Sequence, residues 1–397
     1  MAQYPVPIPQ EDFVAANVPA QPASVKNQLD LIDIALAILK KKGSVRKDTV
    51  VRKNGKLYAS ILPGVGYSLI TGFAGTIAAN GAFYTSAEET ANVCSILFEP
   101  AYTQYKQLLL PVQANIWTPG NRYDIQTDWG YKRFPQPTYG LGGHTSLSDG
   151  YTIDYSQVRF YQTLFRTIAP DLFLGAGYYL DRYYNIREVN PPEVGVTDFE
   201  KYGIMPTSTS SGVTLNFLWD QRRNLINPKQ GSYMNVVYRS NFTFLGSDAH
   251  WQTLLTDLRK YVNFPAGSKN ILGFWTYDVI TLQGKPPYLA LPNTGCDTYV
   301  NTGRGYIQGR FRGKDMLYVE TEYRFGITHN GLLGAVVFAN VQSFSEPVSG
   351  RFDVLWPAYG AGLRVKLNKY SNTNVCLDYA IGMGGSEGVF VNLGEIF

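Results

Sequence analysis

The residues of this 397-residue chain best equipped to do chemistry are charged and clustered. Between Asn301 and Gly313, four glycines interrupt a segment that carries Arg304, Arg310 and Arg312. Directly after it, Glu320, Glu322 and Arg324 follow at intervals of two. Guanidiniums and carboxylates in this arrangement make charge-assisted, often bidentate, hydrogen bonds. Covalent chemistry has no comparable signal. There is no Gly-x-Ser-x-Gly, no P-loop and no His-Glu-x-x-His. The glycine-rich stretch from Gly382 to Gly388 falls in an expected hairpin rather than between a strand and a helix. His144, His250 and His329 are far apart, and Cys94, Cys296 and Cys376 lack metal-ligand spacing. The chain is therefore expected to be no enzyme, with no metal and no cofactor.

The element behind the acids alternates. Leu317, Val319, Thr321, Tyr323 and Phe325 share one parity; Tyr318, Glu320, Glu322 and Arg324 share the other. Successive strand side chains point to opposite faces, so one face is apolar and the other charged. A transmembrane barrel accommodates both, with lipid outside and a wet lumen inside. Composition agrees: 14% aromatics, 29 tyrosines and 39 glycines suit interfacial girdles and tight turns. The competing class is a soluble β-rich protein, whose strands alternate against a single core. A mean hydropathy of −0.15 is too polar for a bundle of membrane helices, and no apolar run is long enough to be one. The net charge of +4 is mild, and no basic run is interleaved with stacking aromatics, so nucleic acid is not expected as a partner.

Residues 1–23, rich in Pro and Ala, read as an extended arm. Residues 24–43 read as an amphipathic helix: Val25, Leu29, Ile32, Leu36 and Leu39 recur at helical spacing. Ser24 is its expected N-cap and Gly43 its C-cap, with Lys40, Lys41 and Lys42 in the last turn. Such a helix packs on or plugs the barrel, or lies on the membrane surface. Residues 57–397 read as strands, about 16 of them. Short turns at 68–72, 118–121 and 264–267 contrast with long connections at 132–150, 189–211 and 286–314. Toward the C-terminus Leu363, Val365, Leu377, Tyr379, Val389, Val391 and Phe397 take the outward parity; Arg364, Lys366, Cys376 and Asp378 take the inward one. The expected fold is an all-β, antiparallel transmembrane barrel preceded by a short amphipathic helix.

Arg304-Gly305-Tyr306 followed by Glu322-x-Arg324 resembles the signature of the BamA, TamA and FhaC superfamily of outer-membrane assembly and secretion barrels, the bacterial surface antigen family. The stretch from Trp219 to Gly231, with Asp220, Arg222 and the Asn227-Pro228 turn, resembles a second family segment. The resemblance implies that the long loop folds into the barrel and that its Arg304 tip docks on inward-facing residues. Glu320 and Glu322 are the implied charge partners, beside Arg324. The alternative for Arg304 is a solvated loop arginine. Phe338-Ala-Asn-Val-Gln342 departs from the family pattern, with Asn340 where an acid is usual and Gln342 where glycine is. Asn392, Gly394 and Phe397 resemble the C-terminal signal by which assembly machinery recognises barrels; the alternative is that Phe397 is a girdle aromatic.

The first strand contains Pro63, Gly64 and Gly66, and the last segment Gly388 and Gly394. Both are poor ladder formers. This fits either the openable lateral seam that the resemblance implies or a bent, closed one. About 56 residues precede the first strand, too few for a POTRA domain, so a member lacking them is expected. The implied location is the outer membrane of a Gram-negative bacterium, a signal peptide having been removed. The implied partners are its lipids, client proteins and a periplasmic accessory protein in place of POTRA domains. The expected function is assistance to protein insertion or translocation; the alternatives are a passive pore or a lipid-handling barrel.

Overall fold

The computed structural model describes residues 28–38, 57–68, 70–88, 90–193, 195–203 and 205–397. Eighteen strand segments form one antiparallel sheet: β1 (Tyr58–Ser68), β2 (Gly72–Phe83), β3 (Cys94–Phe98), β4 (Ala101–Thr103), β5 (Leu108–Trp117), β6 (Tyr123–Arg133), β7 (Gln136–Thr138), β8 (Tyr151–Ala169), β9 (Leu172–Val189), β10 (Thr207–Asp220), β11 (Gly231–Asn241), β12 (Trp251–Asn263), β13 (Ile271–Gly284), β14 (Met316–Gly326), β15 (Leu333–Phe344), β16 (Trp356–Asn368), β17 (Thr373–Gly382) and β18 (Glu387–Leu393). β3 and β4 both lie between β2 and β5, and β6 and β7 both pair with β8. These two pairs each count as one stave, so the segments occupy about 16 positions, as the alternation predicts.

Burial along the strands is inverted relative to a soluble protein. On β14 Met316, Tyr318, Glu320, Glu322 and Arg324 are buried, while Leu317 and Val319 are exposed. On β16 and β17 Arg364 and Asp378 are buried, and Leu363, Leu377 and Tyr379 are exposed. Apolar side chains outside and charged ones inside are what a lipid-facing barrel requires. No helix of the described residues is long and apolar enough to cross a membrane.

The long connections share one end of the barrel. They run 139–150, 190–206 (with helix α2, Asp198–Gly203) and 285–315; the first two are shorter than expected from sequence because β6, β7, β9 and β10 extend into them, and the third is one residue longer at each end. A cluster of Phe134, Tyr151, Ile153, Tyr155, Phe199, Tyr288 and Leu291 packs this loop end. The opposite, turn end carries helix α1 (Leu31–Ile38). Its cap is Asp30, whose carboxylate accepts from the Asp33 amide at 2.8 Å, while the Asp33 carboxylate accepts from the Asp30 amide at 3.3 Å. The described helix spans Leu31–Ile38, inside the expected 24–43; residues 24–27 and 39–43 of that expectation and the expected 1–23 arm lie outside the described residues. Ser24, Gly43 and the three lysines lie outside the described residues. Lys369, in the β16–β17 turn, fixes α1 through its ammonium to Asp33 at 2.7 Å and its amide to Asp30 at 2.9 Å. Asp33 holds Lys369 above the ordinary lysine range, against the opposing effect of burial. The helix rests on the rim rather than in the lumen.

The first and last strands differ from every other neighbouring pair. β1 pairs with β2 over eleven positions, Pro63 opposite Ile77, Gly64 opposite Thr76 and Gly66 opposite Ala74. β18 pairs with β17 over seven, Gly388 opposite Ala380. β1 and β18 lie side by side. Yet among the described residues no ladder register joins them.

Candidate functional site: a loop docked in the lumen

Loop 285–315 enters the barrel and is held by its own glycines and acids before it reaches the wall. Asp297 accepts from the amides of Asn301 at 3.1 Å and Thr302 at 2.7 Å, which curls the chain ahead of the tip. Gly303 and Gly305 have φ of +83° and +105°, the left-handed region that suits glycine. A Cβ on Gly305 would sit 2.7 Å from that of Ala358, so the loop backbone lies directly against β16.

Arg304 then meets three carboxylates. Its guanidinium donates to Asp378 of β17 at 2.7 Å and to Glu322 of β14 at 2.9 Å, and it also pairs with Glu320. The Phe338 ring of β15 lies 3.6 Å below it. Arg304 is 2% exposed. Tyr306 donates to the Pro357 carbonyl at 2.5 Å and accepts from the Met383 amide at 2.9 Å. Asn340 donates to the Arg304 carbonyl at 2.9 Å, so it binds loop backbone rather than supplying charge.

The network continues toward the turn end. Arg364 links Asp378 at 2.5 Å to Glu395 at 2.7 Å. Arg324 pairs with Glu322, lies 3.7 Å from Glu395 and donates to the Phe397 carbonyl at 2.6 Å. Burial alone would push the Glu395 carboxyl up, but Arg364 and Arg324, with the Asn374 amide, hold it down to about 2. Asn301 donates to the Ile396 carbonyl at 2.8 Å, so loop and C-terminal tail touch directly. Three guanidiniums and four carboxylates thus form one buried assembly. Breaking one partner of such an assembly costs about 3–5 kcal/mol, because the others remain buried without it.

The arrangement corrects the sequence reading at the tail. Phe397 is not on the outward parity. β18 ends at Leu393, and Gly394 turns the chain inward with φ +83°. Phe397 packs against Trp275 in the lumen, ring centroids 5.2 Å apart. Gly394 accordingly belongs to this turn, its amide donating to the Asn374 carbonyl at 2.8 Å, and not to the edge of β18. Asn392 stays in the ladder opposite Cys376. Asp220 and Arg222 pair at 2.8 Å, and the 221–230 turn reaches the tail through the Glu395 amide on the Ile226 carbonyl at 2.9 Å. Asp378, Arg364 and Glu395 are site residues that sequence reasoning missed. The inward parity of Asp378 and Arg364 was the available signal. Among the described residues no group of side chains has metal-ligand geometry.

Comparison with known proteins adds the fold. No family model and no curated protein sequence matches the chain. Solved structures do. BamA from Haemophilus ducreyi lacking POTRA domains 1–3 aligns with a TM-score of 0.58 at 13% identity, over 96% of this chain and 82% of that one. CdiB from Escherichia coli aligns at 0.55 and 8% identity over 89% of this chain, and CdiB from Acinetobacter baumannii at 0.51 and 12% over 85%. The chain spans 66% and 64% of those two CdiB chains. At such identities the likeness is one of fold: this chain has the barrel of BamA and CdiB.

Proposed function

We propose that this barrel resides in the outer membrane of a Gram-negative bacterium and assists the insertion or translocation of proteins through the seam between β1 and β18. The observation that carries this reading is the side-by-side placement of β1 and β18 without a ladder, in a barrel folded like BamA and CdiB. An unpaired strand edge templates another strand by β-augmentation. The bilayer beside it would be perturbed without any covalent step. Pro63 offers no amide, and Gly388 and Gly64 contribute little to a ladder, which keeps closure weak. Loop 285–315, latched by Arg304, holds β14 to β17 in one arrangement, against which the seam moves. Clients are unfolded β-strand proteins, delivered by a periplasmic accessory protein. A passive pore is not favoured, because loop and tail pack inside the barrel against β12 to β16.

The test locks the seam. Ala59 is on the outward parity of β1, and Val391 on that of β18, so cysteines at these two positions face the same side. Cys94, Cys296 and Cys376, all free and buried, are first replaced. With a short cleavable bis-thiol reagent in place, insertion of a small unfolded barrel client into liposomes should stop, and reduction should restore it. Unchanged insertion in the locked protein would remove the seam from the account.

A further inference from the structure

The other side of the lumen holds cations that have no counter-ion. Lys132 of β6 and Arg312 of loop 285–315 are 5% and 1% exposed. Among the described residues neither forms an ion pair. The Lys132 ammonium has no hydrogen-bond partner, and it lies 5.4 Å from the Tyr155 ring and 5.5 Å from that of Phe134. Arg312 donates only from one terminal nitrogen, to the carbonyls of Tyr288 at 3.1 Å and Leu291 at 3.2 Å, and its Nε has no partner. Gln136 stands beside them. Its Oε1 accepts from Tyr155 at 3.1 Å, and its amide nitrogen donates to nothing.

The charges around Lys132 are Arg159, Arg312, Asp128 and Asp181. Both acids are engaged elsewhere. Asp128 pairs with Arg159 at 3.3 Å, and Asp181 pairs with Arg239 at 2.8 Å. An ammonium, a guanidinium and an amide donor are therefore buried near one another, and neither nearby acid forms an ion pair with Lys132 or Arg312. Ring faces compensate part of a desolvated cation but not all of it.

We infer that Lys132, Gln136 and Arg312 form a buried oxyanion site in the lumen beneath loop 285–315, which takes a small anion of the phosphate class. Its unpartnered donors come from β6, β7 and the loop and are all buried, so the site takes a free ion rather than a macromolecule. A bound oxyanion would tie the loop to β6 on the side opposite the Arg304 network.

Titration calorimetry on the full chain in nonionic detergent, with inorganic phosphate against chloride at matched ionic strength, tests this. One saturable site per barrel is expected. Lys132→Met and Arg312→Met should each weaken it at least tenfold, while Lys314→Met, an exposed loop lysine, should not change it. Lys132→Gln is a second variant should Lys132→Met fail to fold, with folding checked by heat-modifiable gel migration. Absence of a saturable site in the wild-type chain, or binding that survives both lumen variants, would overturn the inference and leave water and the ring faces as the partners of these cations.

Discussion

Two of the buried charge clusters among the described residues differ in what they join. Arg239 of β11 reaches Asp181 of β9 at 2.8 Å, Tyr161 of β8 at 3.1 Å and the Ser210 carbonyl of β10 at 3.2 Å. All its partners sit on consecutive strands that ladders already hold together. Arg304 instead starts on a loop and reaches β14, β15 and β17. The residue types and the burial are alike. Only the second cluster decides where a movable segment lies. A buried ion pair is weak evidence for stability and better evidence for a specified arrangement, and that specification is worth most where no ladder does the same work.

Breaking the two clusters in parallel should separate these roles. The largest effect is expected from Arg304→Met, which leaves Glu320, Glu322 and Asp378 facing one another. Stability should fall by about 3–5 kcal/mol in denaturant titrations, and client insertion should fall at least tenfold. Arg239→Met should cost about 3 kcal/mol by the same buried-charge argument while leaving insertion per folded barrel nearly unchanged. A smaller effect is expected from Gly305→Ala. The left-handed φ and the contact with Ala358 together cost about 1–3 kcal/mol, and proteolysis within 285–315 should accelerate with Arg304 still present.

The acid limb sharpens the comparison from the tail side. The Glu395 carboxyl lies below its ordinary value of 4.5, at about 2 in the folded chain. Its contribution is therefore complete above pH 4.5 and is lost as pH falls from there toward 2. Trp275 fluorescence, which senses Phe397, should change across that window in the wild type and should already be changed at neutral pH in Glu395→Gln. The smallest effect belongs to the rim. Asp33→Asn removes a pair to Lys369 whose acid is about one-third exposed, worth up to about 1 kcal/mol, and should loosen α1 in hydrogen exchange without touching the loop.

Much of this was legible from local pattern. The two-residue alternation of Leu317 to Phe325 placed Glu320, Glu322 and Arg324 on the buried face, because parity is a property of a strand alone. The strand count followed from turn chemistry for the same reason. What local pattern cannot carry is pairing across the barrel. Asp378 is 74 residues from Arg304, and only closure of the sheet brings the two together. Parity also failed where a strand stopped. Phe397 has the outward parity of Val391, but one left-handed glycine at 394 reverses its direction. The capping of α1 by Asp30 is a local signal, but its docking on Lys369 is a long-range contact that no local pattern carries.

The most direct test is hydrogen exchange of loop 285–315 in Arg304→Met and Arg239→Met, measured in parallel on folded barrels. Exchange around residues 301–309 should quicken by at least tenfold in Arg304→Met alone, with strand amides protected in both. Equal loop protection in the two variants would contradict the claim that Arg304 holds the loop in the lumen.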